Sequence, residues 1–162
     1  MPRRDYLAFY ATQFPTVEVN TSFYAIPAPD TLIDWVETVP EGFTFALKFP
    51  RAISHDKRLV DATTESLAFL DAVRSLGEAA APAFLQLPPN LTRNSHGKPL
   101  AAYLDWLAVQ AGNMRIAVEV RAADLMRQRE TWEALKRAMK AEEIEMRPPQ
   151  SDGPVMANTL WP

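Results

Sequence analysis

Four short stretches alternate apolar and polar positions with a period of two: TVEVN at 16–20, FTFALKF at 43–49, AFLQL at 83–87 and RIAVEVR at 115–121. Each predicts a β-strand. The segments around them carry apolar residues at helical spacing. Arg4–Phe14 places Leu7, Tyr10, Ala11 and Phe14 together, and Thr31–Thr38, with Asp30 as its cap, places Leu32, Trp35 and Val36 on one face. A stronger helix opens at Asp61 or Thr63, aligns Leu67, Leu70, Val73 and Leu76 with Phe69 and Ala72, and stops near Gly77. Pro99–Ala111 aligns Leu100, Tyr103, Leu104 and Leu107, and Glu130–Glu143 aligns Trp132, Leu135 and Met139. Pro50–Leu59 reads as a loop of mixed charge, and 147–162 as a Pro-rich tail following one domain at 1–146.

Helix and strand therefore alternate, which predicts parallel βαβ units with right-handed crossovers. An open doubly wound sheet and part of a (β/α) barrel both fit that order. The polar strand residues discriminate between them. Strand side chains alternate faces, so Glu18 and Asn20 lie opposite Val17 and Val19, and Lys48 lies with Ala46 opposite Leu47 and Phe49. Gln86 lies opposite Leu85 and Leu87, and Glu119 shares a face with Ala117 and Arg121, opposite Val118 and Val120. A barrel accounts for this directly, with polar side chains inward and large apolar ones outward beneath helices. The predicted fold is α/β, a partial TIM-like (β/α) barrel of about four parallel strands, because four strands cannot close the usual eight-stranded barrel.

Composition narrows the setting. The 162 residues are 48% hydrophobic and 23% charged, as in an ordinary globular chain. A net charge of −3 argues against bulk attraction to nucleic acid or membrane, while leaving room for a local basic patch. The absence of cysteine excludes disulfides and thiolate metal sites. Neither an apolar signal core nor a run of about 18 apolar residues is present, so a cytoplasmic location away from membranes is expected.

Four motifs carry a more specific likeness. YATQFPTVEVNTSFYAIP (Tyr10–Pro27), FTFALKFPRAISHDKRL (Phe43–Leu59), AFLQLPPN (Ala83–Asn90) and RIAVEVR (Arg115–Arg121) resemble, in order and spacing, the domain-of-unknown-function-72 family, also called YecE-like. The likeness covers roughly residues 6–121 and implies a TIM-barrel fold of about 250 residues. It brings no agreed activity, cofactor or catalytic residue set. Relatives start with a further Gly-rich, Trp-containing strand, and beyond Arg121 the motifs fade. The chain thus resembles strands two to five of the barrel, as a truncated form of a longer protein would.

In such barrels chemistry sits at the C-terminal ends of the strands. The candidates there are Glu18, Glu119 and His55 for catalysis, with Asn20, Tyr24, Lys48, Arg51, Gln86 and Arg121 for binding. Lys48, Arg51, His55 and Arg121 could hold phosphate, carboxylate or a nucleic-acid backbone. Glu18 and Glu119 could act as general acid and base, or bind a divalent metal with water. Alternatively, these two carboxylates pair with Lys48 and Arg121 in a polar barrel core. Tyr24 and Phe23 could stack on a base or sugar, though packing beneath the loop is the preferred reading. His96 reads as a solvated loop residue. No HExxH, GxGxxG or P-loop motif occurs, so neither a zinc site nor nucleotide binding by those routes is expected, and no cofactor is named. The expected function is binding or hydrolysis of an anionic ligand. The alternatives are a non-catalytic interaction domain, with exposed barrel edges pairing in a homodimer, or a truncated product without activity.

Overall fold

The computed structural model describes residues 3–121, apart from the side chains of 3, 4 and 93–95. The helix expected at Glu130–Glu143 and the tail at 147–162 lie outside the described residues. Helices α1 (Arg3–Ala11), α2 (Pro29–Thr38), α3 (Thr63–Ser75) and α4 (Arg93–Ala111) alternate with strands β1 (Thr16–Val19), β2 (Thr44–Leu47), β3 (Ala83–Gln86) and β4 (Ile116–Glu119).

Among the described residues all strand pairings are parallel. β1 and β2 align Thr16 with Thr44 through Val19 with Leu47, and β3 and β4 align Ala83 with Ile116 through Gln86 with Glu119. The two pairs are joined by isolated bridges at Phe45–Ala80 and Lys48–Phe84. There the Ala81 N–H donates to the Phe45 carbonyl at 3.0 Å, and the Phe49 N–H donates to the Phe84 carbonyl at 2.8 Å. The spatial order is therefore the chain order. A doubly wound sheet would reverse direction at a switch point; strands added one after another on the same side are what a barrel wall requires.

The large apolar strand residues point toward the helices. Phe45, Leu47 and Phe49 of the β2 segment are buried, as are Leu85, Leu87, Val118 and Val120. Phe45 stacks on Trp35 of α2 with centroids 5.8 Å apart, and Phe49 meets Phe69 of α3 at 4.3 Å. The opposite face carries Thr16, whose hydroxyl donates to the Thr44 carbonyl at 3.0 Å and accepts from the Thr44 hydroxyl at 3.1 Å.

Several local expectations need correction. Asp30 does not cap α2: Pro29 supplies the fixed φ of the first helical turn, Ala28 stands at the cap position, and Asp30 lies inside that turn. Leu67 is exposed, because the inward stripe of α3 runs through Ser66, Phe69, Leu70, Val73 and Leu76. The Ser66 hydroxyl can be buried there because it shares a 2.7 Å hydrogen bond with the Tyr103 hydroxyl of α4. α4 starts at Arg93 and runs through Pro99, so His96 lies on a helix and not in a loop. The helix stops at Gly112, whose φ of +62° suits glycine. Finally, the 50–59 segment is not plain loop, since Ala52–Asp56 forms one turn of π-helix.

The packing predicts a contrast between two aromatic and aliphatic truncations. Phe49→Ala should cost about 3–5 kcal/mol in urea unfolding, whereas Leu67→Ala should cost under about 1 kcal/mol. Equal costs would contradict the assignment of these two faces.

Candidate functional site

Each strand delivers side chains to the same end of the sheet, and the turn that follows fixes them. After β1 the chain enters a 3-10 turn, Asn20–Phe23, which contains the fully buried Ser22. The Ser22 Oγ accepts the Lys48 N–H at 2.8 Å and lies 2.6 Å from the Val19 carbonyl and 2.8 Å from the Lys48 carbonyl. Its single proton can serve one of those two carbonyls at a time. The hydroxyl thus continues the β1–β2 ladder beyond Val19 and anchors the backbone of Lys48. The Lys48 Nζ donates to the Asn20 Oδ1 at 3.4 Å and lies over the rings of Phe23 and Phe84, 5.0 and 5.6 Å from their centroids. Two ring faces and an amide oxygen hold the ammonium without cancelling its charge.

After β2 the π-turn arranges the next group. The Arg51 Nε and Nη2 donate to the Asp56 Oδ1 at 3.2 and 3.0 Å, across the turn. This pairing holds the Arg51 pKa above its ordinary value, with a smaller contribution from Tyr24 nearby. His55 Nδ1 lies 2.8 Å from the Ser54 hydroxyl, and the imidazole meets Phe23 edge-on at 5.0 Å. Just beyond, Arg58, Leu59 and Asp61 all have positive φ. Such left-handed residues without glycine store strain that the surrounding structure must hold.

On the other side, Glu119 is 2% exposed and receives hydrogen bonds from the Gln86 Nε2 on one oxygen and the Arg121 Nε, at 2.8 Å, on the other. A buried carboxylate requires such partners. Here they tie the ends of β3 and β4 together and aim Arg121.

The expected charged network is thus half realised: Glu119 pairs with Arg121. Glu18 lies exposed on the inner face beside Ala46, and among the described residues it forms no ion pair with Lys48. Tyr24 is 77% exposed and not packed beneath the loop, contrary to the preferred reading, and only Phe23 is partly covered. Burial lowers the pKa of His55, and Arg51, Lys48 and Arg121 each lower it further, against an opposing pull from Asp56. Sequence reasoning missed Ser22, Ser54 and Asp56. The one available signal was a small hydroxyl residue between Val19 and Phe23, where the chain leaves a strand.

A sequential parallel sheet, helices on its apolar side and converging polar residues at its C-terminal end define a segment of a (β/α)-barrel protein. No helix among the described residues is long and apolar enough to cross a membrane. The family described as protein of unknown function DUF72 matches residues 1–155, and the chain belongs to it. That match runs past Arg121, so the likeness does not end where the quoted motifs do. The UPF0759 protein YecE of Escherichia coli K12 is 31% identical over 130 residues, covering 80% of this chain and 46% of the relative. YunF of Bacillus subtilis is 31% identical over 121 residues, covering 71% of this chain and 42% of the relative. The chain therefore spans just under half the length of these relatives. A DUF72 protein from Enterococcus faecalis superposes with a TM-score of 0.68 at 24% identity, over 83% of this chain and 56% of the other. One from Thermotoga maritima gives 0.68 at 22% identity, over 85% and 54%. These share the fold.

Ser22→Ala leaves the Lys48 N–H without its acceptor and should destabilise the chain by about 1–3 kcal/mol, read by chemical denaturation. A variant as stable as the parent would show that the hydroxyl does not anchor the ladder.

Proposed function

We propose that the C-terminal end of the sheet binds a phosphate-containing small anion. The observation that carries this reading is the Lys48 ammonium at the end of β2, 5.0 Å from the centroid of the Phe23 ring that itself meets His55 edge-on at 5.0 Å; the charges of Arg51, Lys48 and Arg121 all oppose protonation of His55. Lys48 and Arg51 follow β2 and Arg121 follows β4. Asp56 and Glu119 pair with the two arginines, while Lys48, held by an amide oxygen and two rings, has no carboxylate partner among the described residues and offers its charge to an anion. Arg121 keeps donors free because Glu119 engages its Nε, and Arg51 likewise offers Nη1 beyond its Asp56 contact. The net charge of −3 favours a small ligand over an extended nucleic-acid backbone.

Hydrolysis of that ligand would draw on His55. Its lowered pKa leaves the imidazole neutral at pH 7, the form that can accept a proton from water. The exposed Glu18 is the second candidate acid–base group. Glu119 has a different part in this reading: its two oxygens are engaged by Gln86 and Arg121, so it positions Arg121. Asn20 does the same for Lys48.

A phosphate dianion in this place would stabilise the imidazolium and raise the His55 pKa. By linkage, phosphate affinity should increase as pH falls through that pKa. Proton NMR can follow this directly, because the chain has only two histidines, His55 and, on α4, His96. Saturating phosphate should move the His55 titration upward, and Lys48→Gln should weaken binding roughly tenfold to a hundredfold. A His55 titration that ignores phosphate would remove the proposal.

A further inference from the structure

Beside the cations, three aromatic rings form a corner. Tyr24 meets Phe23 edge-on at 5.3 Å and 86°, and Phe23 meets His55 edge-on at 5.0 Å and 89°. Phe23 is occupied, since the Lys48 ammonium lies over its ring and its own contacts fix it in place. Tyr24 differs: it is 77% exposed, and among the described residues Phe23 is its one aromatic partner. Its backbone is nevertheless held, with φ −94° and ψ −36° and its N–H donated to the Thr21 carbonyl at 3.0 Å. The following Ala25 N–H donates to the same carbonyl at 3.3 Å. The ring is thus presented from a fixed turn, so that covering it costs little conformational entropy.

A bare tyrosine is common on protein surfaces and by itself means nothing. This one packs edge-on against Phe23, the ring that carries the Lys48 ammonium and meets His55, and so stands beside the proposed anion site. The face of a tyrosine ring carries negative potential and offers nothing to a phosphate. It does offer a stacking surface to a flat unsaturated ring, and such stacking is worth about 1–3 kcal/mol for a nucleobase.

We infer that the ligand of this site is a phosphate monoester of a planar ring system, its phosphate among Lys48, Arg51 and Arg121 and its ring on the exposed face of Tyr24. This rests on the anion-binding reading and narrows it. Aryl phosphates and nucleoside monophosphates share the required chemistry, and the same measurement separates them.

Affinities for inorganic phosphate, methyl phosphate, phenyl phosphate and adenosine monophosphate can be compared by calorimetry on the full chain. The ring-bearing esters should bind roughly tenfold more tightly than methyl phosphate. Tyr24→Ala should bring them down to the methyl phosphate level measured on the same variant, and Tyr24→Phe should keep the advantage. An advantage for both esters supports a general flat-ring site, and one confined to the nucleotide supports a nucleobase. Phosphate binding with no ring advantage, or an advantage that survives Tyr24→Ala, overturns this inference and leaves the anion site standing. Failure of all four probes to bind overturns both.

Discussion

The burial of a carboxylate at the end of β4 is the constraint on which this architecture turns. A charge removed from water must be met by hydrogen bonds and counter-charge, or the fold loses several kcal/mol. Glu119 meets that demand with Gln86 from β3 and Arg121 from just beyond its own strand. The pairing ties two strands at their C-terminal ends and fixes a guanidinium at the rim. Ser22 performs the neutral counterpart between β1 and β2, where one buried hydroxyl replaces ladder bonds and holds the backbone of Lys48. Side chains that close the sheet at this end therefore also position its cations.

This division of labour follows from two-sided burial. Toward the helices, close packing admits only large apolar groups, and Phe45, Phe49 and Leu85 fill that layer. The other face tolerates Thr44, Lys48 and Gln86, each partly buried, because hydrogen bonds and ring faces satisfy them. The π-turn after β2 adds what straight strands cannot. It brings Arg51 back onto Asp56 and sets His55 against Phe23, with left-handed backbone immediately downstream. Strain of that kind persists only where surrounding contacts overdetermine it, and the buried Leu59 supplies one such contact.

Much of this was legible in the residues. The period of two placed Glu119, Gln86 and Lys48 on one face, and the alternation of strands with helices placed that face inside a barrel wall. The tertiary structure overrode the rest. The local pattern could not show that Pro29 would start α2, or that α4 would run through Pro99, since proline admits more than one boundary. Nor could it separate Glu18 from Glu119: both sit in strands with the same alternation, yet β4 buries one carboxylate and β1 exposes the other. Long-range hydrogen bonds such as Ser22 to Lys48, 26 positions apart, leave no periodic trace.

On the reading proposed above, Lys48 and Arg121 bind one anion between them at the C-terminal end of the sheet. Anomalous diffraction from crystals soaked in tungstate, a tetrahedral dianion like phosphate, tests it most directly. The expected result is a peak within hydrogen-bonding distance of the Lys48 ammonium and the Arg121 guanidinium. Tungstate bound only elsewhere, with this position open to solvent and empty, would contradict it.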